Sequence, residues 1–338
     1  MGIAGISLLL PHTLSGDEWC WLVWGRDVGR LALDTTACTV WKPLPVLFTT
    51  VISQTGDAAP MLWLLLVRTS WLLALVLAYR VGTRLAGRPA GIVAAFGLLL
   101  IPDPNADWIS YVRHGSTEPL IVALVLGAVD RHLAGKRLQA LGLASLAALA
   151  RPEAWVVVLA YGTTLWWRHS VRRVAIVAIV AVVPLLWLGG GLLGGRGAVS
   201  AAQRSSQTAS WQPNPVTTAR APGRPATRHG GRPAARQTAP KRAGSTATPT
   251  AGERLSAGLY VIETAALAVV TPIALLALVA VVRAFAALRR NGGQSDRVIA
   301  FLGASVAGWI AVQAAGGLLG FPVTARFLIG PAALISVL

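Results

Sequence analysis

The sequence predicts an all-α fold, a polytopic bundle of transmembrane helices, and three observations carry this prediction. The 338 residues are 54% hydrophobic and only 13% charged, whereas soluble globular domains average about 25% charged residues. The mean hydropathy is +0.61, and several apolar runs approach the roughly 20 residues that a helix needs to cross a bilayer. Basic residues between these runs recur on alternate connections, as is typical of multispanning membrane proteins.

We predict about eight full spans, each near the length of a bilayer crossing, and a partial span at each end. The full spans lie near 61–79, 89–102, 118–134, 138–150, 154–167, 173–195, 258–283 and 297–320, and the partial spans at 2–11 and 326–338. The first partial span is too short to cross and has no basic residue before it, unlike a signal peptide. We therefore expect the chain to be a fragment or to have a misassigned start.

The charged connections orient these helices. Connections 79–89, 130–137, 167–173 and 283–297 are rich in Lys and Arg, and an even number of crossings separates each from the next. By the positive-inside rule all four are cytoplasmic, which makes 12–60, 103–117, 151–153, 196–257 and 321–325 exoplasmic. The predicted location is the plasma membrane. Asp130 and Asp296 lie beside cytoplasmic arginines, and we expect both to be ordinary solvated acids.

The segment 196–257 separates an N-terminal half, 1–195, from C-terminal helices at 258–338. It contains ten basic residues against one acid, Glu253, and so supplies +9 of the net charge of +17. A charge of +17 in a soluble protein would suggest nucleic acid, but here a single segment holds much of it. Because the segment has few large apolar residues, we expect a disordered exoplasmic loop. It is a low-complexity insertion or a binder of anionic lipid or wall polymer.

Acidic residues collect in the first two predicted exoplasmic loops. A charge at a helix centre costs roughly 2.5–3.5 kcal/mol, so acids near a bilayer are functional candidates. They are Asp17, Glu18, Asp27, Asp34, Asp57, Asp103, Asp107 and Glu118. The two cysteines, Cys20 and Cys38, exclude a disulfide-rich scaffold and a cysteine zinc site, and the sequence leaves open whether they pair.

Residues 18–33 predict an amphipathic helix lying in the membrane interface. Trp21, Trp24 and Val28 recur at helical intervals, with Arg26 and Asp27 on another face. Tryptophan is enriched at membrane interfaces, so we expect these tryptophans to be interfacial anchors.

A lysine follows this helix in the run WKPLPVL, where Pro43 and Pro45 favour an extended backbone. Lys42 suits a lipid phosphate as a point-charge partner. Two plainer interpretations stay open: Asp17 as a solvated loop acid, and Lys42 as a side chain that reaches the lipid headgroups.

Three segments share a pattern with a known family. The first contains Asp17 and Glu18, an aromatic residue at Trp21, then Arg26, Asp27 and Val28, then Lys42, Pro43 and Leu44. The others are SYVRHGSTEPL at 110–120 and TARFLIGPAAL at 324–334. Together they resemble the GT-C membrane glycosyltransferases, in particular the aminoarabinose transferases and protein O-mannosyltransferases. The chain departs from that family at Glu118, where the family usually has Asp, and at Trp41, which is often acidic there.

The resemblance implies transfer of a sugar from a polyprenyl-phosphate donor to a glycan, lipid or protein acceptor of the cell envelope, at the exoplasmic face and with inversion. It implies that Asp17 acts as the base toward the acceptor hydroxyl, with Glu118 as a second carboxylate. Lys42 would stabilise the departing phosphate. The residues implied to help Lys42 are Arg113, His114 and Arg326, and the secondary site candidates are Glu18, Arg26, Asp27 and Glu153.

No cofactor is expected. Some related enzymes use Mg²⁺ or Mn²⁺, but the sequence has no ligand spacing that supports a divalent metal. Arg151 and Glu153 are expected to form a local ion pair, and Glu263 has no assigned partner. A small-molecule transporter, which would more often show internal repeats and midplane charges, and a non-catalytic membrane scaffold remain alternatives. The arginine-rich, lysine-poor composition is typical of a GC-rich genome, such as those of actinobacteria.

Overall fold

The computed structural model describes residues 2–9, 13–14, 16–35, 41–100, 108–168, 172–194, 256, 259, 261, 271–319 and 325–338. Within these residues the secondary structure is helical, with no strand, which confirms the predicted all-α class. The segment predicted to be a disordered loop, 196–257, lies almost wholly outside the described residues. So do Asp103, Asp107 and Glu263.

The described residues form thirteen α-helices. They are α1 Gly2–Ser7, α2 Gly16–Gly29, α3 Pro43–Ile52, α4 Ala59–Ala86, α5 Arg88–Leu99, α6 Trp108–His114, α7 Glu118–Leu133, α8 Arg137–Ala148, α9 Trp155–Arg168, α10 Arg173–Leu193, α11 Thr271–Leu288, α12 Gln294–Leu318 and α13 Ile329–Val337. Short 3₁₀ turns at Ser53–Ala58, Pro152–Ala154 and Ala325–Leu328 join some of them.

Three helical stretches are long and apolar enough to cross a membrane: Pro43–Ala86, which contains α3 and α4, Arg173–Leu193 and Gln294–Leu318. Arg88–Leu99 and Pro272–Leu288 are apolar but shorter. Membrane helices are thus indicated, whereas the total of about eight spans stays a prediction. The 3₁₀ turn after Arg151 confirms that 138–167 holds two helices. Within the predicted first exoplasmic connection, 12–60, α2 confirms that the segment predicted as an interfacial helix, 18–33, is mostly helical, whereas α3 was not predicted.

Helix α4 packs against α5 and α7 through small side chains. Ala74, Ala78 and Ala94 are buried in the largest core cluster, and a Cβ added at Gly91 would stand 2.5 Å from the backbone oxygen of Tyr79. Small residues of this kind let helix backbones approach closely, as they do in membrane bundles. The α4–α5 connection turns at Gly87, whose φ of 89° favours glycine.

The contacts define two ends of the bundle. At one end, called here the Lys42 end, the Trp63 indole N–H donates to the Gly115 carbonyl over 2.8 Å, and the Leu44 N–H donates to the Leu149 carbonyl over 3.2 Å. At the other, called the basic end, the last turns of α4 and α7 meet the starts of α8 and α12. The predicted connections 79–89 and 130–137, and the turn between α11 and α12 within the predicted connection 283–297, thus share one end. Which end faces the cytoplasm stays a prediction.

Asp130 corrects one expectation at the basic end. It is fully buried, not solvated, and its carboxylate lies 3.3 Å from Arg80, 3.0 Å from Arg84 and 2.5 Å from Arg131. The close α4–α7 packing brings two arginines one turn apart on α4 onto this side chain. Asp296 is half-buried and has a capping role, because it accepts a hydrogen bond of 2.8 Å from the Gly293 N–H before α12.

Candidate functional site

Lys42 is a buried cation at the Lys42 end of the bundle. Its backbone is extended (φ −135°, ψ 112°), as predicted, but Pro43 begins helix α3 instead of prolonging the extended segment. Proline suits the first helical position, where its missing N–H costs nothing. The side chain is only 5% exposed, and its Nζ lies 4.9 Å from the centroid of the Trp21 ring.

The tryptophans of α2 do not behave as predicted. Trp21 and Trp24 are buried within the protein, where Trp21 packs edge-on against Trp63 at 5.8 Å and Trp24 contacts Trp41 at 5.5 Å. Their spacing of three places them on one helix face, and that face meets α3 and α4. The prediction of interfacial anchors is therefore wrong for both. Trp19, on the opposite face, is 51% exposed.

Close packing against α3 fixes the position of α2. The Thr49 hydroxyl donates to the Trp21 carbonyl over 2.6 Å. A Cβ added at Gly25 would stand 2.4 Å from the backbone carbonyl carbon of Thr49, so the approach of the two helices requires glycine there. This packing holds Trp21, and the helix turn before it, against the segment that carries Lys42.

The two carboxylates of that turn differ in burial. Glu18 is 2% exposed and lies three residues before Trp21, whereas Asp17 is half-buried and lies four residues before it. Residues three and four apart share a helix face, so both belong to the turn that adjoins the lysine–tryptophan contact. Glu18, predicted as a secondary candidate, is the more enclosed of the two.

Other residues of the predicted first-loop site lie elsewhere on α2. Arg26 is exposed and Asp27 is half-buried in the last turns of the helix. At 1.5 Å per residue, Asp27 lies about 14 Å along the axis from Glu18. The structure therefore places neither Arg26 nor Asp27 beside Lys42.

Glu118 is held in a buried ion pair. It opens α7, and its Oε1 lies 2.5 Å from Nη2 of Arg151, with both side chains no more than 4% exposed. The Arg151 guanidinium also covers the Phe327 ring at 4.6 Å. The expected pair of Arg151 with Glu153 is therefore wrong. Glu153 Oε2 is buried and has no hydrogen-bond partner among the described residues.

The remaining phosphate-binding candidates are less enclosed. Arg113 is exposed on α6, and His114 is half-buried, with its Nδ1 2.8 Å from the Ser110 carbonyl oxygen. Arg326 belongs to the turn Ala325–Leu328, but its side chain lies outside the described residues.

Sequence reasoning missed the roles of Arg151 and Phe327. The signal that could have found them is the predicted topology, which assigned the connections 103–117, 151–153 and 321–325 to the same side of the membrane. A partner for Glu118 could therefore have been sought among the basic residues of the other two connections.

No set of three His, Cys, Asp or Glu residues that could hold a metal ion occurs in the described part of the chain. Cys20 on α2 is disulfide-bonded. Cys38, the other cysteine of the sequence, lies outside the described residues.

The Lys42 end thus gathers a buried ammonium group, two carboxylates one turn from its tryptophan partner, and a buried carboxylate–guanidinium pair. The chemistry available there is proton acceptance by a carboxylate and stabilisation of an anion by a fixed cation. Comparison of the chain with models of known protein families, with curated proteins and with solved structures finds no match in any of the three.

Proposed function

We propose that this protein is a membrane-embedded glycosyltransferase. It would transfer a sugar from a polyprenyl-phosphate donor to a hydroxyl group of a cell-envelope acceptor at the exoplasmic face. The observation that carries the proposal is the burial of Lys42 beside the first turn of α2, which bears Asp17 and Glu18.

The lysine is suited to an anion that leaves during the reaction. Burying an ammonium ion costs several kcal/mol unless nearby groups compensate, and contact with the face of Trp21 supplies about 0.5–2 kcal/mol. An ammonium group fixed by such packing needs no reorganisation when negative charge develops beside it. The resemblance to GT-C transferases implies that this anion is the departing lipid phosphate.

The carboxylates supply the complementary step. As the acceptor oxygen attacks the anomeric carbon, a carboxylate takes its hydroxyl proton, and the bond from that carbon to the phosphate oxygen breaks with its electron pair. A single displacement of this kind inverts the anomeric centre. Asp17 is assigned this role because it is half-exposed and can meet an acceptor, and Glu18 supports the charge balance around Lys42.

Glu118 receives a different role from that implied by the family. Its negative charge is neutralised by Arg151 at 2.5 Å, which disfavours proton acceptance. We therefore assign the pair to positioning: it joins the start of α7 to the 149–151 turn, and the hydrogen bond from the Leu44 N–H to the Leu149 carbonyl carries that order to the lysine segment.

The membrane arrangement belongs to the same proposal. About eight spans, each near the roughly 20 residues of a crossing, would place the Lys42 end outside and the basic end in the cytoplasm. A donor with a polyprenyl chain would then approach from within the bilayer, beside the exposed Trp19 and the apolar outer faces of the bundle.

A transfer assay in membranes tests the proposal. Membranes containing the full chain are incubated with a panel of radiolabelled polyprenyl-phosphate hexoses and pentoses, and label moved into acceptor material is counted. For the donor used, Asp17→Asn should lower the rate by about 10²–10⁴, the usual contribution of a general base. Lys42→Met should lower it by about 10²–10³, as for loss of one preorganised donor.

Asp27→Asn, on the same helix but remote from Lys42, is the matched control and should leave transfer within a factor of two of the unaltered chain. Full transfer by both Asp17→Asn and Lys42→Met would refute the site. A correctly inserted chain that moves none of these donors would instead support a transporter or a scaffold.

A further inference from the structure

A cavity that the proposed transferase chemistry does not use runs along the bundle from the basic end. It has a volume of about 450 Å³ and lies between α7, α8, α9 and α12, with Leu334 of α13 also contributing. Ligand pockets in proteins commonly have volumes of about 300–1,000 Å³. The cavity therefore has the size of a ligand site.

The cavity is long, and its inner part and its mouth differ in polarity. Along α12 it extends from Arg297 to Trp309, about 18 Å at the helical rise per residue, and along α8 from Arg137 to Ala147, about 15 Å. Its inner part is lined mainly by alanine, valine, leucine and aromatic side chains. A narrow apolar cavity of this length suits a single hydrocarbon chain.

The mouth of the cavity is cationic. It is lined by Arg137, Arg297 and His132, and the His132 Nδ1 lies 2.7 Å from the Tyr161 hydroxyl oxygen. Helices α8 and α12 both begin there, so their positive dipole ends contribute to the same region. Asp296 offsets part of this field by capping α12, but it is not a lining residue.

A second depression adjoins the mouth and shares Arg137 with the cavity, and it adds Lys136 and Arg172. Among the described residues, no aspartate or glutamate lines either space. Together the two spaces are lined by four residues with a formal positive charge, namely Arg137, Arg297, Lys136 and Arg172. This concentration of basic side chains favours an anionic group beside Arg137 and Arg297.

We propose that this cavity binds a single-chain anionic amphiphile, with its phosphate headgroup at Arg137 and Arg297 and its hydrocarbon chain between α8 and α12. Basic pockets between membrane helices recognise anionic lipid headgroups in this way. The headgroup part of the site lies at the basic end, whereas the apolar part runs along α8 as far as Ala147, two residues before Leu149. The inference does not depend on the proposed transferase activity.

Binding of radiolabelled 1-oleoyl-lysophosphatidic acid to the purified full chain in a non-ionic detergent tests the proposal. We expect one molecule bound per chain. The zwitterionic lysophosphatidylcholine of the same chain length should compete at least tenfold more weakly, because its headgroup has no net negative charge. Free inorganic phosphate should also compete at least tenfold more weakly, because it has no hydrocarbon chain.

Charge variants test the mouth. Near a membrane surface each basic residue contributes about 1 kcal/mol toward an anionic lipid, so Arg297→Gln should weaken binding about fivefold and the double variant Arg137→Gln/Arg297→Gln about thirtyfold. Arg297 is exposed, so its replacement leaves the fold intact. Arg283→Gln, an exposed arginine of α11 that does not line the cavity, is the matched control and should bind as the unaltered chain does.

A filling variant tests the apolar part. Ala144 lines the cavity on α8, and Ala144→Phe should reduce the bound lipid at least tenfold while the chain still elutes as a folded species. The proposal is overturned if the double arginine variant binds normally, if lysophosphatidylcholine competes equally, or if Ala144→Phe binds one molecule unchanged.

Discussion

The buried ion pair between Glu118 and Arg151 should be a major source of stability at the Lys42 end, and a double-mutant cycle measures it. The perturbations are Glu118→Gln, Arg151→Met and both together. Each single change leaves a buried charge or its partner uncompensated, which commonly costs 3–5 kcal/mol. This cost for a buried ion pair applies here because the two atoms lie 2.5 Å apart and neither side chain is more than 4% exposed.

The structure sets different costs for the two single changes. After Glu118→Gln the amide oxygen can still accept from Arg151, and the Phe327 ring still covers the guanidinium, so we expect a loss of about 2–3 kcal/mol, below the usual range for a broken buried pair. Arg151→Met loses the pair and the ring contact and strands a carboxylate, so we expect about 4 kcal/mol. The double variant should cost no more than Arg151→Met alone, which gives a coupling energy of about 2–3 kcal/mol.

Unfolding of the purified protein in mixed micelles of a non-ionic detergent and dodecyl sulfate, followed by tryptophan fluorescence, gives these free energies. Because the pair is buried, the coupling should change little between low and high salt. A parallel cycle of Arg151→Met with Glu153→Gln is the control and should give a coupling near zero. A larger coupling to Glu153 than to Glu118, or a loss below about 1 kcal/mol for Glu118→Gln, would contradict the assignment of a buried pair.

Three further changes follow from contacts described above, each measured by the same unfolding titration. Trp63→Phe removes the donor to the Gly115 carbonyl and should cost about 1–3 kcal/mol, because a buried acceptor loses its partner. Asp130→Asn removes the charge that three arginines share, and because these arginines are 30–45% exposed it should cost about 1.5–3 kcal/mol, the range for hydrogen bonds to a charged group. Gly25→Ala drives a methyl group into Thr49 and should cost about 1–3 kcal/mol or more.

Each of these three changes has a matched control in the same chain. Trp19→Phe alters an exposed tryptophan of α2, and Asp57→Asn alters an exposed acid. Gly16→Ala adds a methyl group where no atom lies within 4 Å. Surface changes of this kind usually stay within about 0.5 kcal/mol. A test variant that unfolds no more easily than its control would count against the contact it removes.

Hydropathy and charge predicted the helical class and the grouping of connections at two ends. The predicted span 118–134 agrees with α7, Glu118–Leu133, because Pro119 favours the first turn and basic residues mark the last. The basic connections 79–89 and 130–137 meet at one end as predicted, because their grouping depends on parity alone. An error of several residues in a boundary does not change which connections share a side.

The burial of Trp21 and Trp24 could not be read from their spacing. A period near 3.6 shows that a helix has an apolar face, but lipid and protein satisfy that face equally well. The close approach at Gly25 is a long-range contact with Thr49, and no local pattern predicts it.

The partner of Arg151 was wrong for a related reason. Glu153 is two residues away in sequence, but side chains at that spacing do not face each other. Glu118 is 33 residues away and opens another helix, at the position where α7 and the 149–151 turn meet. Pairing of this kind is decided by helix packing, which the sequence does not display.

In a membrane, the short lengths of α7 and α8 would determine how deep the Lys42 end lies. They rise about 24 Å and 18 Å along their axes, whereas the hydrocarbon core of a bilayer is about 30 Å thick. With the basic end at one surface, Glu118 and Arg151 would stop several ångströms below the other. Water would have to descend to them, and a lipid phosphate would have to leave the plane of its neighbours. The thickness of the bilayer would then affect which substrates can reach these residues.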